Sequence, residues 1–186
     1  MRIGVLLLLL IAGRGYAAGG VVGEPGSCMI EIGLYTAHFT IYQSDTSGDE
    51  EFCEDLPDIG KTLFVLDYLH GSMKEVAVDF RIIRDVDELG IFARWENIQA
   101  IEDIDARTVF YQPSLVYPEN QLLAEHTFLE PGWYIGVVTA PHPSKDITYN
   151  AVFPFQVGQT NYLFWLLLML ALAVAGFYVY RSRRGS

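Results

Sequence analysis

Four side chains of the kinds that hold soft metals or exchange electrons stand in the first third of this 186-residue chain: Cys28, Met29, His38 and Cys53. Thiolate, thioether and imidazole are ligand types that suit copper. The same two thiols are the only cysteines, and in an oxidising compartment an even pair reads first as a disulfide. The two uses compete, because a disulfide consumes both thiolates. The expectation is a Cys28–Cys53 bond, which would contribute about 3 kcal/mol in the chain-entropy account. The alternative is copper binding or electron transfer through Cys28, Met29, His38 and Cys53. A copper loop usually gathers Cys, His and Met near the last strands, and there this chain has only His126 and His142.

Other chemistries find less. His38, His70, His126 and His142 never fall at His-x-His or His-x-x-x-His spacing, so a zinc site has no support. Asp45, Asp49, Glu50 and Glu51 offer oxygens to calcium, but not in the alternating pattern around a central Gly, and the segment reads as a solvated loop. Ser44, Ser47, Ser72, Ser114 and Ser144 lack a nucleophile-elbow setting, and no Gly-rich phosphate loop is present. The expectation is a non-enzyme with no catalytic residue and no cofactor, copper being the alternative.

The ends of the chain say where such a domain would sit. Arg2, the apolar core Ile3 to Ala12 and Gly15-Tyr16-Ala17 read as an export signal over residues 1–17, cleaved after Ala17. Tyr162 to Tyr180 is nineteen residues without a charge, roughly 28 Å as a helix, which matches a bilayer's hydrocarbon core. Tyr162 and Trp165 mark one interface and Tyr178 and Tyr180 the other, where aromatic rings favour the headgroup level; Arg181, Arg183 and Arg184 follow in a cytoplasmic tail, 181–186. Between the ends lies one domain's worth of chain. It carries all 23 acidic residues against seven Lys and Arg, a net −16. So negative a surface excludes nucleic acid and anionic lipid as partners. No Asn-x-Ser/Thr sequon occurs, so a bacterial inner membrane with the domain in the periplasm is expected.

Along that domain, residues 18–27 are a Gly-rich lead-in, and 28–158 alternate as short strands. Strands are predicted over Cys28 to Tyr35, His38 to Tyr42, Thr62 to Leu69 and the stretch around Val76, Val78, Phe80 and Ile82. Further strands are predicted at Thr108 to Tyr111, Leu122 to Phe128, Trp133 to Val138, and Tyr149 to Val157. Gln43 to Asp58 is a polar loop with seven acidic residues, expected to be pinned by Phe52 and Cys53. Asp85 to Ile104, with Leu89, Phe92, Trp95 and Ile98 at steps of three, reads as one amphipathic helix or as irregular loop. Pro131-Gly132 is placed for a type II turn joining a hairpin, and Pro154 assigns the last strand to an edge. Residues 159–161 link the domain to the apolar run and hold it close to the bilayer. The predicted fold is all-β, an antiparallel immunoglobulin-like sandwich of seven or eight strands with one short helix, followed by a single transmembrane helix.

The segments Phe128-Leu129-Glu130-Pro131-Gly132-Trp133-Tyr134-Ile135-Gly136-Val137 and Phe153-Pro154-Phe155-Gln156-Val157-Gly158, with an apolar helix straight after, resemble the carboxyl-terminal half of periplasmic immunoglobulin-like domains of the YtkA and FixH type. That resemblance implies an accessory or metal-handling neighbourhood. The function expected is docking on other subunits of a membrane complex, through the sandwich and through a helix carrying Ala171, Ala173, Ala175 and Gly176.

Overall fold

The computed structural model describes residues 28–142, 144–158, 166–173 and 176. Alternating apolar residues place its strands in two antiparallel layers. The first sheet holds β1 (Met29–Ile32), β2 (Tyr35–Tyr42), the two-residue β3 (Glu51–Phe52), β4 (Gly60–Tyr68) and β7 (Gln121–Phe128). Its order is β1-β2-β4-β7, with β3 also on β2. The second holds β5 (Ala77–Arg84), β6 (Thr108–Val116), β8 (Gly132–Pro141) and β9 (Thr148–Val157) in the order β6-β5-β8-β9. Phe39, Phe64, Phe80, Phe128, Phe153 and Phe155 fill the space between the layers. The sandwich is as predicted. With the short edge pieces β1 and β3 set aside, the orders β2-β4-β7 and β6-β5-β8-β9 are consistent with the immunoglobulin-like arrangement, A-B-E in one layer and C′-C-F-G in the other.

Local chemistry moves several boundaries. The first turn lies at Gly33-Leu34, between paired Ile32 and Tyr35, and not at Thr36-Ala37. Gly33 sits at φ 62° with the Tyr149 ring where a β-carbon would be, so only glycine fits this two-residue connection. Asp85 to Ile104 is not one helix. It forms a 3-10 turn at Gly90–Phe92, the helix α2 (Trp95–Gln99) and the start of α3 (Ile104–Arg107), while α1 (Ser44–Ser47) lies earlier, in the acidic loop. The Asp85 carboxylate accepts the Leu89 and Gly90 amides, and Gly90 turns to φ 50°, which stops a continuous helix. Leu89, Trp95 and Ile98 still face inward, covering Ile83, Ile135, Val137 and Val152 on the outer side of the second sheet. Phe92, three residues after Leu89, is 68% exposed.

The predicted hairpin across Pro131-Gly132 is a crossing between layers. β7 pairs with β4, whereas β8 pairs with β5 and β9. Tyr134 Oη donates to the Glu130 carbonyl at 2.8 Å, a tyrosine corner that holds the chain as it changes sheets. Phe128 and Tyr134 then meet in the core, ring centroids 4.8 Å apart. β9 is an edge strand as expected, with Tyr149 half-buried and Ala151, Phe153, Phe155 and Val157 buried on one face. β6 runs beyond its predicted end, through Pro113, because it too is an edge strand, with no partner on its outer side among the described residues.

The acidic loop is clamped at both ends by one buried amide. Gln43 Nε2 donates to the Asp58 carbonyl (2.7 Å) and to Thr62 Oγ1 (3.3 Å), and Gln43 Oε1 accepts the Asp58 amide (3.3 Å). Leu56, fully buried, adds backbone bonds to Gln156 and Gly158.

Residues 166–173 and 176 are helical, with Leu166 to Leu170 and Leu172 exposed. Among the described residues no helix is long and apolar enough to cross a membrane. The rest of the predicted span 162–180, the signal 1–17, the lead-in 18–27, the linker 159–161 and the tail 181–186 lie outside them.

Gln43→Leu is expected to destabilise the domain by about 1–3 kcal/mol, since it strands the groups at Asp58 and Thr62. A lower denaturant midpoint with faster proteolysis of the 43–58 segment is the expected result, and an unchanged midpoint would contradict the clamp.

Candidate functional site

The residues singled out for chemistry converge on one sheet edge. β1 and β3 lie end to end along the same side of β2: Met29 pairs with His38 and Ile32 with Tyr35, while Phe52 pairs with Ile41 and Glu51 with Tyr42. The Phe39 amide donates to the Cys28 carbonyl at 2.6 Å, extending the β1 ladder to the break. The two short strands therefore act as one edge strand interrupted in its middle. Cys28 begins one half and Cys53 follows the other, with Cα atoms 4.9 Å apart and the sulfurs bonded. That separation is normal for a disulfide. The bond stitches the interrupted edge. Cys28 is buried at φ 48° and Cys53 is half-buried.

Met29 and His38, as register partners, share the outer face of the first sheet. His38 Nδ1 lies 3.3 Å from Thr40 Oγ1. On its other flank His38 pairs with Asp67, whose carboxylate accepts from Gln121 Nε2 at 2.6 Å. A row Met29, His38, Asp67, Gln121 thus crosses the sheet. With the disulfide formed, neither sulfur is a thiolate. Among the described residues no three His, Cys, Asp or Glu groups converge as a metal set. Reduced, the two cysteines would be thiols on the edge strand that also carries Met29, the register partner of His38.

The remaining histidines are dispersed. His126 points into the sandwich from β7, its ring centroid 4.7 Å from Phe128 and 5.7 Å from Phe110. Burial holds its pKa below the usual histidine value. His142 lies against Tyr149 with the ring planes tilted, and its Nδ1 accepts the Ser144 amide at 3.0 Å. His70 precedes the 3-10 turn Gly71–Glu75. The acidic loop's Asp45, Asp49, Glu50 and Glu51 are all exposed, on and around α1 and β3. Tyr162, Trp165, Tyr178, Tyr180, Arg181, Arg183 and Arg184 lie outside the described residues.

Two features escaped sequence reasoning. The interrupted edge was signalled only by a Cys just before one apolar run and a Cys just after Phe52. Gln43 carried no signal beyond ending a strand, since a polar residue there is ordinarily exposed.

Replacing both cysteines by serine is expected to lower stability by about 3 kcal/mol. The β1 amides should then exchange with solvent faster, and equal unfolding midpoints would contradict the stitch. His126 gives a pH dependence. Its folded pKa lies below its unfolded one, so the unfolded chain takes up the proton first as pH falls. Stability from this group is complete above the unfolded value, about 6.5, and declines below it. His126→Phe should flatten that part of the stability curve between pH 7 and 5, and identical slopes in the two proteins would show that His126 is not the cause.

No protein-family model matches the chain, and no curated protein matches it. The YtkA and FixH resemblance therefore gains no support. Among solved structures the soluble domain of PmoD from Methylocystis sp. Rockwell is similar, with a TM-score of 0.58 and 30% sequence identity over 70% of this chain and 98% of that one. Since nearly the whole of the other domain is matched at that identity, the chain belongs to the family of the PmoD soluble domain.

Proposed function

We propose that this is a non-enzymatic, single-pass membrane protein whose sandwich docks on a partner, as an accessory or assembly subunit of a membrane complex. The observation that carries the reading is a domain matching almost all of another described as a soluble domain, followed within three residues by a charge-free apolar run, 162–180. That run is the span, with Tyr162, Trp165, Tyr178 and Tyr180 at the interfaces and Arg181, Arg183 and Arg184 on the cytoplasmic side. The disulfide supports an oxidising compartment for the sandwich, and a bacterial periplasm is the one proposed. Full-length protein should resist carbonate extraction, and its sandwich should be digested from the periplasmic side. Purified in mild detergent, it should bring a partner at fixed stoichiometry; a lone monomer would sink the docking role.

A second reading is favoured by one observation, the meeting of Cys28, Met29, His38 and Cys53 on one edge. It makes the protein a periplasmic copper-binding, electron-transfer or metallochaperone domain, working with reduced thiols. Intact mass before and after alkylation, with metal analysis, separates the two. Two free thiols with copper bound favour this second reading, and a stable disulfide without copper removes it.

A further inference from the structure

The sandwich has two unlike ends. The segments 43–59, 85–92 and 129–131 lie at the end from which β9 leaves. Gly60 pairs with Phe128 and Gly132 with Val157, and Asp85 donates to the Trp133 carbonyl. Pro131 and Ile59 crowd Gly158, the last residue before the linker. These three segments hold eleven acidic residues and no lysine or arginine. Among the described residues only two of the eleven enter ion pairs, Glu130 with Arg84 and Asp87 with Arg107. The opposite end is built from 33–34, 69–76, 117–120 and 142–147. It has three acidic residues and two lysines. The negative charge is therefore polarised toward the exit.

Set among those carboxylates are Leu129, 81% exposed, and Phe92, Val86, Ile91 and Ile59, also exposed. Apolar side chains within a carboxylate field gain from burial only against a surface that also neutralises the charge. The linker decides where that surface is. Three residues separate Gly158 from the apolar run, about 10 Å of extended chain, so this end meets whatever lies at the bilayer surface. Anionic headgroups repel it. A protein with an apolar centre and a rim of Lys and Arg is complementary in both respects.

We infer that the exit end is the docking surface, and that its occupant is a basic, apolar-centred, membrane-proximal surface of an integral membrane partner. This rests on the single-span reading above. The test uses the full chain in phosphatidylcholine nanodiscs and, as probe, a fluorescent amphipathic Leu/Lys peptide, with empty discs as baseline. Binding should weaken at least tenfold in the Leu129→Ser/Phe92→Ser variant and in high salt. It should be unchanged in Leu34→Ser/Leu69→Ser, which alters the opposite end, all variants keeping the parent's Tm. Equal affinities for the two variants would overturn the proposal. So would quenching of Trp95 and Trp133 by brominated lipid in a Trp165→Phe chain, because the end would then lie in lipid. Carbonate extraction of the full chain would sink the single-span reading by itself, and the same titration in detergent would still decide the surface.

Discussion

Phe64 is the point through which the two layers are held. From the middle of β4 its ring meets Phe39 on the neighbouring strand, Phe128 on β7, and Phe80 and Phe155 on the opposite sheet, at centroid distances of 5.4 to 6.2 Å. Offset and edge-on aromatic pairs of this kind add directional preference to the burial of a large apolar area. The constraint reaches outward. Phe153 leans on Phe39 at 4.4 Å and fills the space over Gly136, where a β-carbon would collide with it. Both sheets must therefore keep their registers for the rings to interlock.

With the core fixed in this way, the edges carry what is distinctive. One edge of the first sheet is assembled from two pieces that are distant in sequence, and a covalent bond replaces the peptide bonds that a continuous strand would have. This is why Cys28, Met29, His38 and Cys53 share one edge of the sheet. The segment 43–58 that separates the two pieces is held by Gln43 and Leu56, so its acidic residues are displayed on a tethered loop. A domain of this kind presents surfaces, and its relation to the PmoD soluble domain is one of architecture and sequence together.

Much of this was legible in the chain. Strict alternation at Val76 to Ile82 and Tyr149 to Val157 marked buried faces, because a strand's side chains change sides at every residue. The two cysteines announced their bond by being an even pair. The connection at Pro131-Gly132 was not legible. A turn signal with apolar strands on either side suits a hairpin and a corner equally, and only the competing partners β4, β5 and β9 decide between them. The segment 85–104 misled through its spacing of three. Leu89 and Trp95 are half-buried and Ile98 is buried, as their apolar spacing suggested, but the cover they form is three short turns fitted to the outer face of the second sheet, with Asp85 and Gly90 interrupting any continuous helix.

The sequence by itself determined the class of fold, the charge-free apolar run near its end, the net charge and the disulfide, since each follows from composition or from short-range periodicity. Only the tertiary structure decided the strand order, the stitching of one edge from two halves, and the gathering of negative charge at the end where the chain leaves the sandwich. Those depend on which residues far apart in sequence become neighbours, and alternation along a single strand carries no information about its partner.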